Sequence, residues 1–168
     1  MPKIIVNLES RLTEEARNQI LTSGYAAMTV RSVAKSCGVG VGTVYNYFPS
    51  KDALIAAFLL EDWKRCVARI EAVSQSADSP EAVARCICDQ LLAYIRQNEA
   101  VFRDETAAAS FAGSVSRYHG MLRSQLAAPL EKFCAGKFQA EFVAEALLTW
   151  TIAGKPFEEI YEMVGRLF

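Results

Sequence analysis

One stretch constrains this chain more than any other: GVGVGTVYNYFPSK, residues 38–51. Three glycines in five residues ordinarily mark a mobile loop, yet two tyrosines, a threonine, an asparagine and a lysine follow at once. The flanking residues give the glycines a different meaning. Thr29 is an N-cap for a helix whose inward side is Val30, Val33, Ala34 and Cys37, and Gly38 ends it. Val41 to Phe48 is a second, very short helix, stopped by Pro49. Two helices of about eight residues joined by Gly38-Val39-Gly40 match a helix-turn-helix, whose turn spans three or four residues and often contains glycine. Glycine lets the backbone reverse sharply there because it accepts positive φ.

Projected at about 100° per residue, the second helix has distinct sides. Val44 and Phe48 share one and can pack inward. Thr43, Asn46 and Tyr47 share another, with Tyr45 and Val41 on a third. One anchoring side and hydrogen-bonding groups elsewhere suit a DNA major groove, where hydroxyls reach phosphate oxygens and Asn or Thr reaches base edges. Gly42 keeps one side thin enough for close approach. A single tyrosine on a short helix is more often a packing group, so the combination carries the reading. Charge adds to it: residues 16–51 hold no Asp or Glu, while Arg17, Arg31, Lys35 and Lys51 give that window +4. From residue 53 onward, 12 Lys and Arg face 15 Asp and Glu, a balance of −3. A basic patch on a mildly acidic remainder is the footprint of a nucleic-acid-binding head, although the net charge of −1 alone gives no such sign.

The rest of the chain also reads as helix, so the expected fold is all-α. KIIV near the start is the one strand-like run, too short to pair. Asn7 is an expected N-cap for a first helix with Leu8, Leu12, Ala16 and Ile20 at four-residue spacing, closed at Gly24. Ser50 caps a long helix carrying Leu54, Ile55, Phe58, Leu59, Trp63, Val67 and Ile70. Ser79 and Pro80 restart the chain into a helix running to about Asn98. Two further helical stretches are expected, separated near Ser110 to Ser114. A last pair joins at Gly154-Lys155-Pro156. The 52% hydrophobic and 22% charged content is that of a globular protein. Five cysteines without a CxxC pair and one histidine make no metal site and read as reduced, mostly buried thiols. No signal peptide or membrane span is read, and the expected location is the cytoplasm.

TVRSVAKSCGVGVGTVYNYFPSKDALIAAF resembles the DNA-binding signature of the TetR family of bacterial transcriptional regulators, over roughly Leu8 to Leu60. The resemblance implies an N-terminal head (1–52) and a helical effector-binding and dimerisation body (53–168). It implies a homodimer, a palindromic DNA operator and release by a small, largely apolar effector. It places Thr29 near a phosphate, Arg31 against guanine, and Thr43, Tyr45 and Tyr47 on backbone or bases; Val41, from the helix projection, is a further DNA-binding candidate. Asn46 falls on a variable, specificity-bearing position, and Lys51 on a phosphate contact that seats the head. Gly40 stands where a serine-like cap is common, and the arm before Arg11 is poor in basic residues.

In the body, Tyr94, Phe102, Phe111, Tyr118, His119 and Met121 are the candidates for a pocket, since such sites are mostly apolar with a few polar groups. The final helix pair carries Phe142, Leu147, Trp150, Thr151, Phe157, Ile160, Tyr161 and Val164 on apolar faces that fit either a dimer interface, as the resemblance implies, or an ordinary intramolecular core; the two-fold logic of helix-turn-helix proteins favours the dimer. No cofactor is implied. The competing readings are a helical enzyme and a protein-interaction module with a degenerate head. Against the enzyme stand the single histidine and the lack of a phosphate-binding motif or paired carboxylates. Asp104-Glu105 comes nearest, but neighbours on a helix point about 100° apart and read as a solvated acidic face.

Overall fold

A computed structural model describes residues 7–168, apart from the side chains of 108 and 111–117. KIIV lies outside this range. Every element among the described residues is helical: α1 (Leu8–Ser23), α2 (Val30–Cys37), α3 (Val41–Tyr47), α4 (Lys51–Ser76), α5 (Pro80–Gln97), α6 (Glu99–Phe102), α7 (Glu105–Ala127), a 3-10 segment (Ala128–Phe133), α8 (Lys137–Ile152), α9 (Phe157–Val164) and a closing 3-10 turn. None is long and apolar enough to cross a membrane. The chain forms two compact units, residues up to 62 with 98–112, and residues 63–97 with 113–168. The division falls at Asp62 rather than near Asp52 because Leu54, Ile55 and Phe58 of α4 belong to the first core.

In the first unit the four-residue spacing of α1 closes one face. Leu8, Leu12, Ala16 and Ile20 are all buried, together with Met28, Val33, Val44 and Phe48. Each large apolar side chain so removed from water contributes about 1.5–3 kcal/mol. Asn7 does precede α1, but in the left-handed region (φ 61°) and without a capping hydrogen bond from its side chain. An asparagine tolerates that conformation, so it supports the entry turn rather than the orphan N–H groups. α1 is also fastened to α4. Arg17 Nη1 and Nη2 donate to Asp62 Oδ2 and Oδ1 at 2.6 and 2.9 Å, with the guanidinium 4.8 Å from the Phe58 ring centre.

In the second unit α5 packs between α8 and the 3-10 segment, with α9 against α8. Its core holds Trp63, Ile70, Ile87, Leu91, Leu126, Leu130, Leu147 and Leu148. Two sequence expectations are corrected. No break occurs between Ser110 and Ser114, for α7 runs unbroken from Glu105 to Ala127. Its start is set by Asp104, whose Oδ1 accepts from the backbone N–H of Thr106 and Ala107 at 2.9 and 3.0 Å. Asp104 is therefore an N-cap, not part of a solvated acidic face; serine and glycine weaken a helix interior but do not end it.

The second correction concerns α8 and α9. Leu147, Thr151, Ile160 and Val164 are buried in their own unit and have no surface left for a second chain. Thr151 Oγ1 donates to Cys88 Sγ at 3.1 Å. α8 is apolar on opposite sides, so periodicity alone does not say which row faces inward. The outward-facing apolar residues of α8 are Phe138, Phe142 and Ile152, all more than half exposed, and Trp150, which stands at 50% to one side of them. Phe157 and Tyr161 are half-buried and stack at 5.2 Å, the Arg85 guanidinium lying 4.0 Å over Phe157. All five cysteines are free, and burial pushes the Cys66 thiol up to about 11, which keeps it protonated and unreactive.

Candidate nucleic-acid interface

α2 begins in a capping box. Thr29 Oγ1 accepts from the Ser32 N–H at 3.0 Å, and Ser32 Oγ accepts from the Thr29 N–H at 3.0 Å. The helix ends at Gly38, in the left-handed region (φ 68°), where a side chain would be strained. Arg31 is exposed, and its side chain pairs with nothing among the described residues.

α3 follows after Gly40, which supplies no side-chain cap. Val44 (0%) and Phe48 (5%) anchor it, while Tyr45 (50%), Asn46 and Tyr47 (47%) are exposed. Thr43 is half-buried, and Val41 is partly packed on the head core. A Cβ added at Gly40 would meet only Thr43 Oγ1, at an ordinary 3.8 Å, and the backbone there is extended (φ −69°, ψ 146°). Gly40→Ser should therefore supply the missing cap and reduce unfolded-chain entropy. We expect a gain of about 0.5–1 kcal/mol, measured as a raised denaturant midpoint; a lowered midpoint would refute it.

Lys51 differs from expectation. Its ammonium donates to the Tyr25 carbonyl oxygen and lies 3.9 Å from the Tyr25 ring centre, so it turns inward rather than outward. Burial pulls its pKa down, opposed by the charges of Asp52 and Asp104. Tyr25 in turn donates its hydroxyl to Asp52 Oδ1 at 2.8 Å. Tyr25 and Asp52 were not singled out in the sequence, and no local signal marks them, since the contact spans 27 residues.

The pocket candidates are divided between the two units. Tyr94 meets Trp63 edge-on at 5.6 Å in the second unit, Tyr118 and Met121 are exposed, and His119 Nε2 lies 3.5 Å from Glu145 Oε1. Phe102 belongs to the first unit, and the Phe111 side chain is outside the described set. A groove of about 430 Å³ does exist, but on the first unit, between α1 and α2 and lined by polar chains such as Ser10, Arg11, Glu14 and Asn18. None of the candidates lines it.

Comparison with known proteins follows the same pattern. The family described as bacterial regulatory proteins, tetR family, matches residues 12–58. The HTH-type transcriptional regulator UidR of Escherichia coli K12 is 37% identical over 60 residues, 36% of this chain and 31% of UidR. The match thus spans about a third of that relative's length. The HTH-type transcriptional repressor KstR of Mycolicibacterium smegmatis is 29% identical over 144 residues, covering 76% of this chain and 71% of KstR. Among solved structures, the transcriptional regulator SCO7518 of Streptomyces coelicolor A3(2) superposes with a TM-score of 0.69 at 16% identity, covering 96% of this chain and 98% of that one. The multidrug binding protein EbrR, complexed with imidazole, gives 0.58 at 21% identity over 95% and 94%. The capped α2, the glycine reversal and the aromatic α3 all lie inside residues 12–58, the segment that matches the tetR family of bacterial regulatory proteins.

Proposed function

We propose that the protein is a DNA-binding transcriptional repressor that acts as a homodimer on a palindromic operator in the cytoplasm and is released by a small, largely apolar effector. The observation that carries the DNA reading is α3: Val44 and Phe48 hold it from beneath, leaving Tyr45, Asn46 and Tyr47 outward within an acid-free window. Residues 1–52 carry the DNA-contacting head in this reading, its core completed by Leu54, Ile55 and Phe58 of α4, and the effector and dimer functions fall within 53–168. Thr29 and Thr43 serve phosphates, while Arg31 and Asn46 read bases. Val41, partly packed, contributes at most an apolar edge contact.

The dimer reading rests on α8. Phe138, Phe142, Glu145, Thr149 and Ile152 recur at alternating spacings of four and three, one outward row of a helix. Within that row Glu145 is engaged by its own chain, its Oε2 3.8 Å from Arg123 Nη1 and its Oε1 3.5 Å from His119 Nε2. The effector reading is supported by the small molecule held by EbrR, with Tyr94, Tyr118, His119 and Met121 as its candidates on the middle helices. Phe102 and Phe111 remain candidates of the same reading.

Selection of bound duplexes from a random pool by the purified protein tests the conclusion, and a pool that does not converge would refute it. With the selected sequence, Arg31→Ala should lose about 1–3 kcal/mol and relax preference at one base pair per half-site. Equal losses on selected and random DNA would remove Arg31 from base reading. Lys51→Ala should weaken binding to all sequences; an unchanged salt slope would mean that Lys51 acts only through Tyr25. For the effector, a thermal-shift screen of apolar and amphipathic compounds should yield a binder whose affinity falls in the presence of operator by the factor it lowers operator affinity.

A further inference from the structure

We propose that Gln19 is a positioning residue of the DNA-binding head: a carboxamide on α1 that fixes the N-terminal end of α2, and with it the aim of Thr29 and Arg31. The inference rests on the DNA-binding reading given above.

The Ser32 hydroxyl is the centre of the arrangement. It has one hydrogen and two lone pairs. The Thr29 N–H points at its oxygen from 3.0 Å and the Thr29 hydroxyl lies 3.1 Å away. Its own hydrogen is directed to Gln19 Oε1 at 2.6 Å, with the Thr29 carbonyl a second acceptor at 2.8 Å. The capping box, which is usually a local matter of four residues, is here tied to a different helix 13 residues earlier.

The orientation of the Gln19 amide is itself set. Its Nε2 donates to Glu15 Oε1 at 2.8 Å and reaches Ser36 Oγ at 3.4 Å. Flipping the amide would turn its oxygen against the Glu15 carboxylate, so the oxygen end stays on Ser32. At the opposite end of α2, Arg11 Nη2 donates to the Cys37 carbonyl at 3.3 Å, one of the carbonyls a helix terminus leaves unpaired. α1 therefore holds α2 by polar contacts at both ends, while Val33 and Ala34 hold its middle by packing.

The consequence for DNA lies in which contacts need direction. The Thr29 hydroxyl can swing its hydrogen to a phosphate while its oxygen still accepts from the Ser32 N–H, so the cap survives the contact. That hydrogen bond, and a forked contact from Arg31 to a guanine, demand good angles. A lysine ammonium over a phosphate tolerates displacement. A loosened α2 end thus loses sequence preference before it loses general affinity.

Gln19→Met in the full chain removes both polar atoms while keeping length and helix propensity. Binding is measured to the duplex selected by the unsubstituted protein and to a random duplex, across a salt series, with the thermal midpoint alongside. We expect about a five- to tenfold loss on the selected duplex, the range of one neutral hydrogen bond. Affinity for random DNA and the salt slope should be unchanged. Ser32→Ala should lose at least as much. Unchanged affinity for the selected duplex overturns the proposal, and so do equal losses on both duplexes, which would make Gln19 a mere structural contact. An unsubstituted protein that prefers no sequence would overturn the DNA-binding reading as well, and that failure shows before any variant is made.

Discussion

Arg17→Met is expected to destabilise the protein by about 3–5 kcal/mol, the usual consequence of removing one partner of a buried ion pair. Two charge-assisted hydrogen bonds of 2.6 and 2.9 Å join the guanidinium to Asp62, whose side chain is 2% exposed against 13% for Arg17. Methionine keeps the hydrophobic stem over Phe58 but removes two charge-assisted donors from a buried carboxylate. For a chain of this size the midpoint should fall by roughly 10 °C. Two controls separate charge from packing. Arg17→Met combined with Asp62→Leu should recover most of the loss, because a well-packed apolar pair replaces a buried ion pair with little penalty. Glu14→Gln should move the midpoint by less than about 2 °C, since Glu14 is 66% exposed and 3.9 Å from Arg17 Nε. A single Arg17→Met variant that melts within two or three degrees of the unsubstituted protein would show that Asp62 is held by its other contacts.

How much of this was readable in the sequence follows the range of each interaction. The Thr29 cap, the Gly38 reversal and the Val44–Phe48 face were legible because each is decided within four residues. So was the outward placement of Tyr45, Asn46 and Tyr47, which follows from where Val44 is anchored. The Arg17–Asp62 pair joins residues 45 apart, and the Lys51–Tyr25 contact residues 26 apart, so neither leaves a local pattern. Lys51 also shows why a motif position does not fix a side chain: its four-carbon stem lets the ammonium point inward or outward at little rotamer cost. Asp104 was missed for a different reason. The cap was present in the sequence, but Ser110, Gly113 and Ser114 drew the break to themselves on composition. α8 was ambiguous by nature, apolar on opposite rows, and only the placement of α5 and α9 against it decides that Leu147 and Thr151 face inward.

That same decision sets the largest functional effect. Trp150→Glu is expected to convert the protein from dimer to monomer and to abolish binding to a two-fold operator. Trp150 is 50% exposed, so the substitution leaves the core of its unit intact; Leu147→Glu, by contrast, would place a carboxylate at a site with no exposure and unfold it. Buried tryptophans at the centre of an interface commonly contribute 2 kcal/mol or more, up to about 4, and a charge in the same place adds a desolvation penalty. The dimer dissociation constant should therefore rise by roughly 30- to 1000-fold. Operator binding should fall further than dimerisation alone, since one head contributes half of the phosphate and base contacts and loses the benefit of being tethered to the second. Sedimentation of both proteins at micromolar concentration, with circular dichroism to confirm equal helix content, provides the measurement. A Trp150→Glu protein that stays dimeric would move the interface off this part of α8, leaving Phe138 and Phe142 as the row to test next. An unsubstituted protein that sediments as a stable monomer would remove the dimer itself, and with it the reason to expect a palindromic operator.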